Sequence, residues 1–545
     1  MLTTDWKQLA SQATAIYDKS LEKTLQLFPL APDTVKILES LPSARGRDVT
    51  DFGSPAPVPI DVYREKVPSE VLEITEKDPY LLLQDLKAGK ISAVKVLTAY
   101  FHAAIFASKL VNCVYEFLPE EALELAKGLD SEKNFLLPLF GLPVSIKEMI
   151  PFKGRSVTHG SLCYLDRVVD YNADIVNIVI SNGAIPFVRT TNPQSLMMLE
   201  CESFTHGRTV NPYNSLLTSG GSSGGEGAIN GIGASALGFG SDIGGSIRCP
   251  SSFNGIYGMR TTVGRLPTAD YFSCQMGSES ILSVTGPMTR SLKLLNLVMD
   301  VILTARPWLV DPTLASIDWK PTTTKKLKIG ILNYDGVVMP QPPIKRALDI
   351  VRLRLLSIDN VEVIEFKPYD HAKAWEIIST LYFEDGGVDT KRTLESTGEP
   401  LCPQTAWVVE GRNVKPLAMH EQWHWNLEKQ KYRKAYLAHW VKSGLPDAVI
   451  APVFPGPPAK HRTAKYWGYT SQWNLLDYPA LVFPVTKVDV ELDKPVEYEP
   501  TNEMDEFIYK EYDSAELFSN APVNLCAVGL RNTEEKLVEV VKLLI

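Results

Sequence analysis

The most constraining feature of this 545-residue chain is a glycine- and serine-rich segment at residues 218–250, which reads TSGGSSGGEGAINGIGASALGFGSDIGGSIRCP. Glycines concentrate where the backbone adopts unusual dihedrals or approaches a ligand closely, and successive N–H groups in such turns form anion-binding nests. A flexible linker shares the composition but lacks interleaved Ile, Leu and Phe residues and the paired Asp242 and Arg248. Ser246 directly follows Asp242-Ile243-Gly244-Gly245, beside an expected oxyanion site, and is therefore the first candidate nucleophile.

Two short motifs inside this segment leave other functions open. Gly220-Gly221-Ser222-Ser223-Gly224 matches the G-x-S-x-G turn of α/β-hydrolases. Such an enzyme needs a late histidine, and His461 is the only one after residue 439. Gly231-Ile232-Gly233-Ala234-Ser235-Ala236 matches the loose dinucleotide pattern G-x-G-x-x-A, which leaves a non-enzymatic binding protein for nucleotides or anions as an alternative.

Composition narrows the class of protein. Hydrophobic residues make up 45% and charged residues 22%, as in an ordinary globular enzyme, and the net charge of −9 argues against broad nucleic-acid binding. There is no run of 18 apolar residues, so no membrane-spanning segment is expected. The first twenty residues carry Asp5, Lys7 and Lys19 and do not resemble a secretory signal. Seven singly scattered cysteines suit a reducing compartment, so the cytoplasm is the expected location.

The order of predicted elements indicates an α/β protein. A helix at 174–181 is followed by a strand at 184–189, and a β-α-β unit spans 326–366. An apolar run at 136–146 predicts a buried strand that ends at Lys147-Glu148, and the pattern at 78–127 predicts helix throughout.

These patterns predict two parts of the chain. Residues 1–75 form a helical N-terminal extension with an extended connector at 42–59, and residues 76–545 form one large domain. We expect that domain to hold a mixed, mainly parallel central sheet covered by helices on both faces.

A second motif predicts different chemistry. Residues 417–440 form a predicted helix with Met419, Trp423 and Leu427 on one face, and it contains His420-Glu421-Gln422-Trp423-His424. The pattern H-E-x-x-H places two imidazoles on one helical face for zinc, with the glutamate as base. No third ligand follows at a suitable spacing. The motif therefore has two interpretations. It belongs either to a zinc-dependent hydrolase or to a surface helix whose histidines occupy ordinary polar positions.

Three segments together resemble the amidase signature family: Gly220 to Glu226, Gly240 to Pro250, and Gly141 to Glu148. Asn211-Pro212 and the predicted strand at 448–452 also fit, so that the resemblance covers residues 80–545. Cys201-Glu202 and the segment 207–212 are similar to the fungal acetamidase branch. One departure is Ser241, where the family more often has threonine; because a hydroxyl remains, we expect no loss of function.

The resemblance implies a fold and a set of site residues. The fold is the amidase signature fold. The roles are Ser246 as nucleophile, Ser222 as bridging serine after a cis peptide bond, Lys147 as base, the N–H groups of Ile243, Gly244, Gly245 and Ser246 as oxyanion hole, and Leu196 as part of the acyl pocket. Asp242 and Arg248 are expected to brace the loop without taking part in the chemistry.

The implied reaction agrees with elementary chemistry. A serine hydroxyl is a weak nucleophile until a base takes its proton, and a lysine serves as base when burial favours its neutral form. We expect an amidase that converts small monocarboxylic acid amides such as acetamide to the acid and ammonia through an acyl-enzyme, with no metal or cofactor. A fatty-acid or aryl amide hydrolase of the same family is the other expectation, and the sequence does not decide between monomer and homodimer.

Overall fold

The computed structural model describes residues 5–45, 58–272, 275–322 and 326–545, so most of the connector expected at 42–59 lies outside the described residues. Within them, eleven strands form one sheet and two short strands form another. The strands are β1 Val114–Phe117, β2 Pro143–Lys147, β3 Ile185–Thr190, β4 Glu202–Ser203, β5 Gly207–Arg208, β6 Leu237–Asp242, β7 Tyr257–Arg260, β8 Val284–Thr289, β9 Leu327–Ile331, β10 Val361–Glu365, β11 Ala448–Pro452, β12 Ala480–Lys487 and β13 Pro522–Val528.

Helices cover both faces of the large sheet. In the described ranges they are α1 Trp6–Leu27, α2 Pro32–Ser40, α3 Pro59–Lys66, α4 Ser69–Thr75, α5 Pro79–Lys87, α6 Ala93–Val111, α7 Pro119–Glu132, α8 Asp174–Ser181, α9 Gly224–Gly231, α10 Arg248–Phe253, α11 Leu292–Thr304, α12 Pro342–Leu356, α13 His371–Leu381, α14 Val388–Glu395, α15 Pro403–Val409, α16 Met419–Lys442, α17 Gly468–Leu476, α18 Glu503–Glu511 and α19 Glu534–Lys542.

The sheet is mixed, as expected, in the order β1-β3-β2-β6-β8-β7-β12-β13-β11-β9-β10. Parallel pairs occur in two blocks, β3-β2-β6 and β11-β9-β10. The other neighbouring pairs are antiparallel. The expected mixed α/β fold with a single large sheet is therefore confirmed, with its parallel pairs in these two blocks and antiparallel pairs between them.

The parallel pair β2 and β6 positions the site. Val144 is in register with Leu237 and Ile146 with Phe239, so that β6 extends about two residues beyond the end of β2 at the same edge of the sheet. Lys147 is the last residue of β2 and Asp242 the last of β6. Carboxyl ends of parallel strands meet at one edge of a sheet, where α/β proteins place their ligands. The predicted lysine and the predicted nucleophile loop therefore lie side by side.

Several sequence-predicted elements are confirmed, and one is wrong. α8 followed by β3, and β9 followed by α12 and β10, lie where the patterns placed them. The helix expected throughout 78–127 is instead divided into α5, α6 and α7, with β1 between the last two. The physical reason is pairing at long range: β1 joins β3 as an antiparallel edge strand, which a local pattern does not reveal.

One large core includes side chains from the N-terminal helices. Tyr17, Phe28 and Tyr63 are buried in the same apolar cluster as Leu97 of α6 and Ile146 of β2. In the described part of the chain one helix, α6, is long and apolar enough to cross a membrane. Of its apolar 18-residue stretch, 72% is buried inside the protein. The division at residue 75 remains a prediction.

In the part of the chain that the structure describes, four arginine side chains are wholly buried, and each faces a carboxylate. The pairs are Arg189 with Glu116 at 3.1 Å, Arg248 with Asp242 at 2.9 Å, Arg260 with Asp477 at 2.9 Å, and Arg265 with Glu535 at 2.6 Å. A guanidinium tolerates such burial only when its charge is paired and its N–H groups are hydrogen-bonded.

Candidate active site

Lys147 and Ser222 are in direct contact, as the resemblance implies. The Nζ atom of Lys147 donates to the Oγ atom of Ser222 at 2.6 Å and to the Oγ atom of Ser241 at 2.9 Å. The lysine is fully buried, and the side chains of both serines are nearly so. The serine that departs from the family's usual threonine thus still offers its hydroxyl to the lysine.

Burial changes the acid–base properties of Lys147. Removal from water lowers the pKa of Lys147 from 10.5 to about 7, although Cys201, Asp242 and Glu226 raise it electrostatically. Burial disfavours the charged ammonium form more than these neighbours stabilise it. At neutral pH the amine is therefore a free base for a large fraction of the time, which a lysine in water is not.

The turn that carries Ser222 is held by close backbone contacts. The peptide bond between Gly221 and Ser222 is cis, as the resemblance implies. A Cβ atom on Gly221 would lie 2.0 Å from the carbonyl oxygen of Glu200, so no other residue fits at this position. The N–H of Ser223 donates to the carbonyl oxygen of Ser246 at 3.1 Å, which ties this turn to the loop of the candidate nucleophile.

Asp242 organises that loop, and the expected bracing role is what the structure shows. Its carboxylate accepts hydrogen bonds from the N–H groups of Gly245 and Ile247 and from the guanidinium of Arg248, at 2.9 to 3.1 Å. Burial would raise the pKa of Asp242, but Arg248 and the amide of Asn474 hold that pKa well below its usual value. The carboxylate therefore remains charged and the turn remains fixed.

The expected set of oxyanion donors needs one correction. The N–H of Gly245 donates to Asp242 at 2.9 Å, so it is not free to bind an oxyanion, and its inclusion was wrong. The N–H groups of Ile243, Gly244 and Ser246 have no acceptor among the described residues. The tight turn uses the N–H of Gly245 to bind Asp242 and hold its shape. Three of the four expected donors therefore remain.

A cavity of about 470 Å³ opens above Ser222 and Ser246. Leu196, Ser222, Ile243 and Ser246 line it, whereas Lys147, Gly244 and Gly245 do not. Lys147 lies behind Ser222. The other side chains that line the cavity are mixed: about half are apolar, among them Met149, Met197, Tyr271, Phe272, Ile281 and Tyr382, and the rest include Gln275, Glu279 and several Ser and Thr residues. The volume lies in the range of about 300–1,000 Å³ that suits organic ligands of drug size.

The structure places the alternative motifs elsewhere. His461 is buried, contacts the carbonyl oxygen of Ser215 through Nε2 at 3.0 Å, and does not line the cavity that holds Ser222. Burial lowers the pKa of His461 to about 3. Residues 231–236 connect the end of α9 to β6, whereas a dinucleotide fingerprint follows a strand and opens a helix.

The H-E-x-x-H motif lies at the exposed start of α16. His420 and His424 face solvent, and the Glu421 carboxylate accepts the N–H of Ala418 at 2.8 Å, which caps the helix. No group of three or more metal-ligating side chains occurs in the described ranges. Met419 and Trp423, which share one face of the helix, are 67% and 66% exposed. The long helix is thus confirmed, and its start lies at the surface.

Sequence reasoning missed two residues that contact the site. The hydroxyl of Tyr382 donates to the carbonyl oxygen of Ile243 at 2.9 Å, and that of Thr470 donates to the carbonyl oxygen of Gly244 at 2.6 Å. They lie 139 and 226 residues further along the chain. No local motif marks either of them.

Comparison with known proteins agrees with this geometry. The amidase family model matches residues 95–538. An acetamidase of Emericella nidulans is 35% identical, with 97% of this chain and 96% of that protein covered. A protein of Schizosaccharomyces pombe that carries a provisional amidase name is 40% identical over 98% of each chain. The solved structure of a fatty acid amide hydrolase superposes with a TM-score of 0.85 at 31% identity, covering 96% of this chain and 99% of that one.

The fold and these matches define an amidase. The chain belongs to the amidase signature family.

Proposed function

We propose that this protein hydrolyses amides of monocarboxylic acids to the acid and ammonia through Lys147, Ser222 and Ser246. The observation that carries the proposal is the 2.6 Å contact between Lys147 Nζ and Ser222 Oγ inside a buried site, at the floor of a cavity that both Ser222 and Ser246 line. A buried amine with a pKa near 7 is a suitable base at neutral pH.

The first half-reaction forms an ester. Lys147 takes the proton of Ser222, and Ser222 takes the proton of Ser246 as the Ser246 oxygen bonds to the amide carbon. The π electrons of the carbonyl move to its oxygen, which the N–H groups of Ile243, Gly244 and Ser246 stabilise. The carbon–nitrogen bond then breaks, the nitrogen receives a proton through Ser222, and ammonia leaves. The acyl group remains bonded to Ser246.

The second half-reaction restores the enzyme. Water gives a proton to the same relay and bonds to the ester carbon, and the carbon–oxygen bond to Ser246 breaks. Ser246 recovers its proton and the carboxylic acid leaves. Each step moves protons only between groups of this chain, substrate and water, so the proposal needs no metal.

The cavity favours a second candidate for the substrate over acetamide. Acetamide would fill only a small part of the cavity of about 470 Å³. A longer substrate would bury more methylene groups against the apolar side chains of the cavity, and each buried methylene group stabilises the complex by about 0.8 kcal/mol. The resemblance to the fatty acid amide hydrolase structure points the same way. We therefore propose that longer aliphatic or aryl amides are better substrates than acetamide.

The test is ammonia release from acetamide, hexanamide and benzamide by the wild type and by Ser246→Ala. We expect hexanamide or benzamide to have the higher kcat/KM and Ser246→Ala to lower kcat at least about 10³-fold. A chelator should leave turnover unchanged. Activity that survives in Ser246→Ala would refute the nucleophile, and activity lost only to the chelator would favour the zinc alternative. Acetamide as the best substrate would refute the size argument alone.

We also propose a cytoplasmic location. The six cysteines in the described ranges are free, and five of them are buried, which suits a reducing compartment. Fractionation of cells that express a tagged chain tests this, and recovery in a secreted or membrane fraction would contradict it.

A further inference from the structure

Every carbonyl group of the loop from Ile243 to Ser246 is held by a hydrogen bond. Tyr382 donates its O–H to Ile243, Thr470 donates its O–H to Gly244, and the N–H groups of Cys249 and Ser223 donate to Gly245 and Ser246, at 2.6 to 3.1 Å. A trans peptide unit is planar, with its C=O and the next N–H pointing in opposite directions. A bond that fixes one carbonyl therefore also fixes the direction of the N–H that follows.

The two side-chain hydroxyls act on different peptide units. Thr470 holds the unit whose N–H belongs to Gly245, and that N–H already donates to Asp242. Tyr382 holds the unit whose N–H belongs to Gly244, and that N–H has no acceptor among the described residues. Of these two hydroxyls, only the one on Tyr382 therefore orients an uncommitted donor of the loop.

The position of the Tyr382 ring is itself fixed by packing. Tyr382 follows the last residue of α13, is 4% exposed, and meets the ring of Trp467 edge-on at a centroid distance of 5.9 Å. A Cβ atom on Gly244 would lie 2.8 Å from the Tyr382 hydroxyl and 3.0 Å from the Trp467 ring. The glycine thus leaves the space in which the hydroxyl reaches the Ile243 carbonyl.

We propose that Tyr382 is a positioning residue for amide hydrolysis: it directs the N–H of Gly244, which stands between the cavity-lining residues Ile243 and Ser246, toward the oxygen of the substrate carbonyl. This inference rests on the proposed function, because it assigns a task to the loop beside Ser246. Preorganised donors act mainly on the charge that develops in the transition state, so Tyr382 should affect kcat and have little effect on the KM of the substrate.

The test compares Tyr382→Phe with the wild type, using hexanamide as substrate and hexanal as inhibitor. Ser246 adds to the aldehyde carbon as its proton passes to Ser222 and the proton of Ser222 passes to Lys147, and the carbonyl π electrons form an oxyanion that mimics the transition state. We expect kcat to fall about tenfold, a fraction of the loss that follows removal of a whole donor. The KM should change less than about twofold, and the inhibition constant of hexanal should rise by the same factor as kcat.

Tyr512→Phe is the matched control. Its hydroxyl donates to the carbonyl oxygen of Asp493 at 2.8 Å, in a buried position that does not line the cavity. It loses the same kind of hydrogen bond and should keep the wild-type kcat and inhibition constant. Thr470→Val should lower kcat less than Tyr382→Phe does, because the N–H that Thr470 orients is already bonded.

Gly244→Ala provides a second variant if Tyr382→Phe does not fold. Its new methyl group displaces the tyrosine hydroxyl while the tyrosine itself remains, and the same coupled change in kcat and hexanal inhibition is expected. Wild-type kcat and inhibition in Tyr382→Phe, with Ser246→Ala inactive, would overturn the inference and leave the proposed function intact. Full activity in Ser246→Ala would instead overturn the proposed function, and the inference with it.

Discussion

At the scale of single residues, the pKa of Lys147 predicts how activity depends on pH. The base must be neutral, and burial lowers its pKa to about 7. We therefore expect kcat/KM to rise from pH 5 to 8 with a midpoint near 7, because protonated Lys147 cannot accept the proton of Ser222. The measurement is ammonia release from hexanamide over that pH range.

Another buried lysine supplies the control for this profile. Lys429 donates to the carbonyl oxygen of Ser280, and burial lowers its pKa to about 8. Lys429→Met should leave the midpoint in place, whereas Lys147→Met should abolish the rise together with most of the activity. A flat profile through pH 7 in the wild type would contradict the role of Lys147 as base.

At this scale the resemblance carried by three short motifs selected Lys147, Ser222 and Ser246, and the structure brings Lys147 and Ser222 into contact, while the catalytic roles stay a prediction. The sequence did not predict that the N–H of Gly245 is committed to Asp242, nor that Tyr382 reaches the loop. Both depend on three-dimensional contacts: one on the path of a tight turn, the other on a tyrosine that lies 139 residues further along the chain than Ile243. Such contacts leave no periodic pattern in the chain.

At the scale of elements, the turn between β6 and α10 depends on glycine. Gly245 has φ of +138°, and a Cβ atom there would lie 2.6 Å from the Thr470 hydroxyl. Gly245→Ala should lower the free energy of unfolding by about 1–3 kcal/mol through backbone strain. It should also lower kcat at least about tenfold, because displaced loop donors stabilise the oxyanion less well. Urea unfolding and ammonia release measure the two effects.

Gly128 in the interior of α7 is the control for that substitution. A Cβ atom on Gly128 meets nothing within 4 Å. Gly128→Ala should stabilise the protein by about 0.5–1 kcal/mol, since alanine loses less backbone entropy in a helix than glycine does. Equal effects of the two substitutions would contradict the special role of the turn.

Elements with a strong local pattern were predictable, and elements set by distant partners were not. α8 with β3, and the β9-α12-β10 unit, have clear apolar periodicity and glycine or loop boundaries. β1 has four residues and exists because β3 pairs with it, so its sequence merges into the neighbouring helical pattern. Met419, Trp423 and Leu427 on α16 show the converse, since all three are exposed. Helical spacing of apolar residues predicts a helix but not which of its faces packs against the rest of the protein.

At the scale of the whole molecule, the N-terminal helices share the main core, and this predicts one cooperative unfolding transition. Phe28 is 2% exposed and packs against the Phe101 ring at a centroid distance of 4.5 Å. Phe28→Ala should lower the free energy of unfolding by about 3–5 kcal/mol through the cavity it leaves. Ile37→Ala, at a position that is 37% exposed, should change it by less than about 0.5 kcal/mol. Calorimetry would show a shift of the single transition, and a separate early transition in Phe28→Ala would contradict a shared core.

The buried arginine pairs have a consequence for how such a sequence can diverge. Replacing one partner alone leaves an uncompensated charge in the interior, which costs about 3–5 kcal/mol, whereas replacing both by apolar residues of similar volume is often nearly neutral. Arg260 with Asp477 and Arg265 with Glu535 join segments that are more than 200 residues apart. Descendants of this chain should therefore keep or lose each pair as a unit, so that distant positions change together.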